Sequence, residues 1–62
     1  MGRARERQVL ALVARGATNR EIGGELFMAE KTASVHVSRI LSKLGVQSRT
    51  QAAAVAHRMH LA

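Results

Sequence analysis

Five polar or small residues recur on one flank of the stretch Glu30 to Leu44, EKTASVHVSRILSKL: Lys31, Ser34, Val35, Ser38 and Ser42. Read as a helix of about 15 residues, the stretch is roughly 22 Å long. A step of 100° per residue places Ala33, Val37, Ile40, Leu41 and Leu44 on one apolar stripe. The five residues above fall opposite, with Arg39 at their edge and His36 and Lys43 bordering them. That outward side holds no acid and is built of short side chains among cations. A solvated face more often mixes glutamate with lysine. Short donors and acceptors flanked by positive charge suit a helix that enters the DNA major groove, where base edges present donors, acceptors and the thymine methyl. Val35 is expected against a thymine methyl, and Ser34 and Ser38 against base edges, directly or through water. Lys31 is expected at a base or a phosphate.

The elements that must hold this helix are short. The chain has 62 residues and a net charge of +6, and its hydrophobic residues include one aromatic, Phe27. That allows one small domain, residues 1–62, with a thin core. The charge is asymmetric: all four acids, Glu6, Glu21, Glu25 and Glu30, lie in the first half. From Lys31 onward only Lys and Arg carry full charges, which implies a polyanionic partner. Base stacking on aromatic platforms, as in much single-strand and RNA recognition, has too few rings here. No cysteine is present, so neither a disulfide framework nor a cysteine-ligated zinc site is available. His57 and His60 are spaced i, i+3, but no acid or cysteine stands near to complete a metal site, and no metal or other cofactor is expected. No glycine-rich phosphate loop and no nucleophile–base pattern occurs, so an enzyme is not expected. No apolar run approaches a membrane span and no signal peptide pattern is visible; a cytoplasmic location without membrane attachment is expected.

Four helices are expected, at about 3–15, 19–26, 30–44 and 49–59, giving an all-α fold. In the first, Val9, Leu10 and Val13 form the apolar stripe with Leu12 at its margin, and no capping side chain precedes it. Gly16 suits the position just past a helix end. Thr18 and Glu21 make a capping box that opens the second helix, where Ile22 and Leu26 point inward. The pair Gly23-Gly24 costs this helix about 2 kcal/mol relative to alanine. It makes sense where another helix crosses very close to Gly23. Phe27 and Met28 are expected in the core. So short a connection forces a tight corner, the helix-turn-helix geometry. Gly45 ends the third helix, and Ser48 with Gln51 makes a second capping box. Ala52, Val55, Ala56 and Met59 of the fourth helix face the core. Ala54, His57, Arg58 and Leu61 lie on its other side, a smooth surface on which a second helix can sit.

Phosphate contacts are expected from Thr32, Arg39 and Lys43 on the third helix. Thr18 and Arg20, and likewise Ser48, Arg49 and Thr50, stand at helix N-termini, which attract phosphate. Five neutralised phosphates predict a log–log salt slope of about −4 to −5.

The string TNREI…L…EKT.S.HVSRIL.KLGV.SRTQA, with four helices and a tight second corner, resembles the LuxR-type helix-turn-helix domain of bacterial transcription regulators. The resemblance covers about residues 5 to 60. It implies sequence-specific binding of double-stranded DNA, with the third helix reading the groove and the fourth as homodimer contact on DNA. It also implies a place at the end of a longer regulator and RNA polymerase as a further partner of the class. The family usually opens with Leu-Thr-Pro where Gly2-Arg3-Ala4 stands. It usually has alanine at Gly23, a serine or threonine cap at Ala29, valine at Ala33 and a basic or polar reader at Ser34. The lost caps and smaller core residue predict a stability lower by a few kcal/mol. A protein-docking module and an anionic-membrane binder are the alternatives; a duplex titration separates both from a DNA reader.

Overall fold

The computed structural model describes the backbone over residues 2–59 and the side chains over 4–59. Four helices follow in order: α1, Gly2–Ala14; α2, Asn19–Leu26; α3, Glu30–Leu44; and α4, Arg49–Arg58. Their bounds match the sequence expectation to within one residue, and no strand occurs among the described residues. α2 packs mainly on α3, and α1 packs on α4 and α3.

The core is the set of stripes the periodicity marks. Val9, Leu10 and Val13 come from α1, Ile22 from α2, Ala33, Val37 and Ile40 from α3, and Ala52 and Ala56 from α4. Leu12, Leu26, Met28, Leu41, Leu44 and Val46 pack around them, half-buried. Burying each large aliphatic side chain contributes about 1.5–3 kcal/mol. With few such residues, α3 is held firmly only because its stripe is shared among three neighbours.

Local chemistry sets the corners. The Thr18 hydroxyl accepts from the Glu21 amide at 3.1 Å, and the Thr18 amide donates to Glu21 Oε1 at 2.8 Å. The capping box therefore forms as expected. Gly45 sits at φ 68°. Its amide donates to the Ser42 carbonyl at 3.1 Å, and the Val46 amide to Leu41 at 3.0 Å, which closes α3. Ala29, at the N-cap of α3, offers no side-chain bond. The second capping box is only half formed. Ser48 Oγ accepts from the Gln51 amide at 3.2 Å, but Gln51 Oε1 accepts from Gln47 at 2.7 Å instead of Ser48. The glutamine oxygen thus serves the amide one residue before the N-cap.

Three expectations are corrected here. Phe27 is not core: it is 96% exposed. It takes the left-handed conformation at φ 57° as the C-cap of α2. That bend turns its ring outward and leaves Met28 to pack inward, at a cost of roughly 1–2 kcal/mol for a residue with a Cβ. Gly23 is indeed closely approached, but by the turn and the first residue of α3 rather than by the body of a crossing helix. A Cβ there would stand 2.6 Å from the Met28 carbonyl oxygen, in the turn that follows α2. Met59 caps α4 and is 52% exposed rather than sealed in the core. With the helix ended at Arg58, its side chain lies along an open groove beside Ala4, Leu10, Ile40 and Leu44.

Candidate nucleic-acid interface

The outward face of α3 is assembled by its inward one. Ala33 is fully buried, and Val37 and Ile40 are 5% and 4% exposed, so the rotation of the helix is set. Lys31, Thr32, Ser34, Ser38, Arg39 and Ser42 all stand exposed, and Val35 is 47% exposed. His36, on the flank, is half-buried. The structure thus brings together the whole set expected to meet bases, Lys31, Ser34, Val35 and Ser38, on one open surface. Glu30, at the helix start, is the only acid in α3.

The N-termini of α2 and α4 are drawn together by a residue whose expected task differs. The sequence pattern puts Arg49 at a phosphate, yet its side chain is half-buried and turned inward. Nη1 donates to Asn19 Oδ1 at 2.7 Å, and Nη2 donates to the Ala17 carbonyl. The planar fork ties the first turn of α4 to the loop that opens α2. Thr18, Arg20, Ser48 and Thr50 remain exposed around this junction. Arg49→Ala removes two charge-assisted bonds and leaves a carbonyl and an amide oxygen without their donor. The domain should lose about 2 kcal/mol of stability, read by urea unfolding; an unchanged midpoint would show that the junction holds without it.

The sequence pattern likewise puts Lys43 at a phosphate. In the free domain its Nζ lies 2.9 Å from Glu6 Oε2 and 3.1 Å from Oε1, across to α1. Sequence reasoning missed Glu6 altogether. The two residues are far apart in the chain, and no local spacing couples them.

On α4, Ala54, His57 and Arg58 are exposed, as a contact surface requires. Leu61, the fourth residue of that face, and His60 lie outside the described residues. Among the described residues no three side chains of metal-ligating type come together, and no helix is long and apolar enough to cross a membrane.

The profile of GerE, described as bacterial regulatory proteins of the luxR family, matches residues 4–56. The chain belongs to the luxR family. It is similar to the transcriptional regulatory protein LiaR of Bacillus subtilis, 58% identical over 57 residues, which are 92% of this chain and 27% of that protein. The DNA-binding transcriptional activator DevR/DosR of Mycobacterium tuberculosis is 51% identical over 51 residues, 82% of this chain and 24% of that protein. The spore germination protein GerE of Bacillus subtilis is 48% identical over 48 residues, covering 77% of this chain and 65% of that protein. The chain therefore spans about a quarter of the length of LiaR and DevR/DosR. Membership makes it a DNA-binding helix-turn-helix domain of the transcription-regulator class, not an enzyme. It also accounts for the four-helix architecture.

Proposed function

We propose that this luxR-family domain reads double-stranded DNA in a sequence-dependent way, with α3 in the major groove, as part of a longer cytoplasmic transcription regulator. The observation that carries the reading is the two-faced α3. Its aliphatic stripe seals the domain while its serine-and-valine face, bordered by Lys31 and Arg39, stands open. Val35 reads a thymine methyl, and Ser34 and Ser38 hydrogen-bond base edges. Thr32, Arg39, Arg20 and the exposed hydroxyls of Thr18, Ser48 and Thr50 hold phosphates and set the register, which carries no sequence information itself. The exposed Ala54, His57 and Arg58 support a homodimer through α4, with half-sites about one helical turn apart. The relative DevR/DosR is named as a DNA-binding transcriptional activator, which agrees with duplex DNA here and leaves RNA polymerase as a further partner.

The test is a duplex titration across salt concentrations. With Arg49 turned inward and Lys43 paired, Arg20, Lys31 and Arg39 remain as the phosphate cations of each domain. The expected slope is then about −3 per domain rather than the −4 to −5 that sequence alone suggests. A slope near zero, or equal binding to anionic vesicles, would overturn the reading. Selection of bound duplexes from a random pool would show both the preferred sequence and the half-site spacing.

A further inference from the structure

We propose that Glu6 sets how strongly the domain holds the DNA backbone, by neutralising Lys43 at the C-terminal end of α3. The inference rests on the reading that α3 lies in the major groove. A recognition helix of this kind meets base edges with its N-terminal residues. At 15 residues and about 22 Å, the last turn of α3 therefore lies well beyond them, where the chemistry it meets is phosphate. Lys43 is the cation of that last turn.

That cation is already engaged. Both Glu6 oxygens lie within 3.1 Å of the same ammonium, and this is the one ion pair among the described residues. The two partners differ in exposure. The Lys43 side chain is 66% exposed and that of Glu6 22%. Packing therefore leaves Lys43 room to swing, and the carboxylate is what keeps it in place. A lysine that left for a phosphate would strand a mostly covered carboxylate close to another anion. A neutral pair releases no counterion on binding, while an unpaired lysine releases about one. Glu6 thus subtracts about one phosphate contact from each domain, and does so on every sequence, because the backbone is the same everywhere. Lys31 and Arg39, on the same helix, form no ion pair among the described residues and keep their charge for the duplex.

A double-mutant cycle on the domain decides this, using one target duplex and one scrambled duplex. Glu6→Gln keeps the shape of the side chain and removes its charge. The log–log salt slope should steepen by about 0.9 per domain, with affinity near 0.1 M salt rising fivefold to tenfold, to a similar degree on both duplexes. Lys43→Ala alone leaves the Glu6 carboxylate unpaired at the backbone and should flatten the slope by up to about one. In the Glu6→Gln background it should remove the whole gain. An unchanged slope in a folded Glu6→Gln variant overturns the inference. So does a gain that survives Lys43→Ala in the Glu6→Gln background, since its source would then lie elsewhere. Glu6→Ala gives the same readings where Glu6→Gln unfolds, which far-ultraviolet circular dichroism reports. If the wild-type domain shows no salt-dependent duplex binding, the groove reading itself fails, a result distinct from either of these.

Discussion

Carrying glutamate at both serines of the α3 face, Ser34→Glu with Ser38→Glu, the domain loses duplex affinity by at least about 100-fold, or roughly 2.8 kcal/mol, while its unfolding midpoint hardly moves. The two halves of this expectation have separate grounds. Ser34 and Ser38 are exposed, and neither hydroxyl takes part in a hydrogen bond among the described residues. Glutamate is a good helix former, so the fold sacrifices nothing beyond a like-charge i, i+4 pair of about 0.2–0.5 kcal/mol. On DNA the substitution acts twice. It removes two short groups from base edges, each contact worth up to about 1–3 kcal/mol where geometry is good. It also introduces two carboxylates into the strongest negative field the domain meets. Fluorescence anisotropy of a labelled duplex beside a urea titration measures both quantities on one sample. Binding within threefold of wild type would show that this face of α3 does not enter the groove.

Much of that face is legible in the amino-acid sequence. The stripe of Ala33, Val37 and Ile40 fixes which side of α3 is sealed, because helical periodicity depends only on spacing. Thr18 with Glu21, and Gly16 and Gly45, mark corners because their chemistry is local to a few residues. What stayed hidden was non-local or against type. The Glu6–Lys43 and Arg49–Asn19 pairs join residues 37 and 30 positions apart through long side chains. Periodicity assigns such residues a face but not a partner. Phe27 misled because the left-handed position it fills is usually signalled by glycine or asparagine, and an aromatic beside Met28 reads as core. The resulting site is smaller in charge than the sequence suggests. Of the cations expected there, Arg49 is tied into the α2–α4 junction and Lys43 is paired with Glu6 at the surface.

The adjacent glycines of α2 should respond differently to an added side chain. Gly24 has nothing within 4 Å of where a Cβ would stand, so Gly24→Ala adds helix propensity without a clash and should stabilise by about 0.8–1 kcal/mol. Gly23 is buried, and its Cβ would stand 2.6 Å from the Met28 carbonyl oxygen and 3.4 Å from the Glu30 amide nitrogen. Both neighbours are backbone, and the first is fixed further because the Met28 amide donates to the Gly23 carbonyl at 2.9 Å. Alanine there also adds propensity, and the turn must give by several tenths of an ångström. The two effects offset to within about 1 kcal/mol. Valine adds two methyl groups against the same backbone and has no such offset. Gly23→Val should cost at least about 3 kcal/mol, the upper range of overpacking. A chain of 62 residues has roughly 3–9 kcal/mol in all, so much of the variant population would be unfolded at physiological temperature, and α3 would lose the corner that aims it. Urea unfolding followed at 222 nm ranks the three variants. Gly23→Val within 0.5 kcal/mol of wild type would mean that the turn does not press on α2, and the tight corner would need another cause.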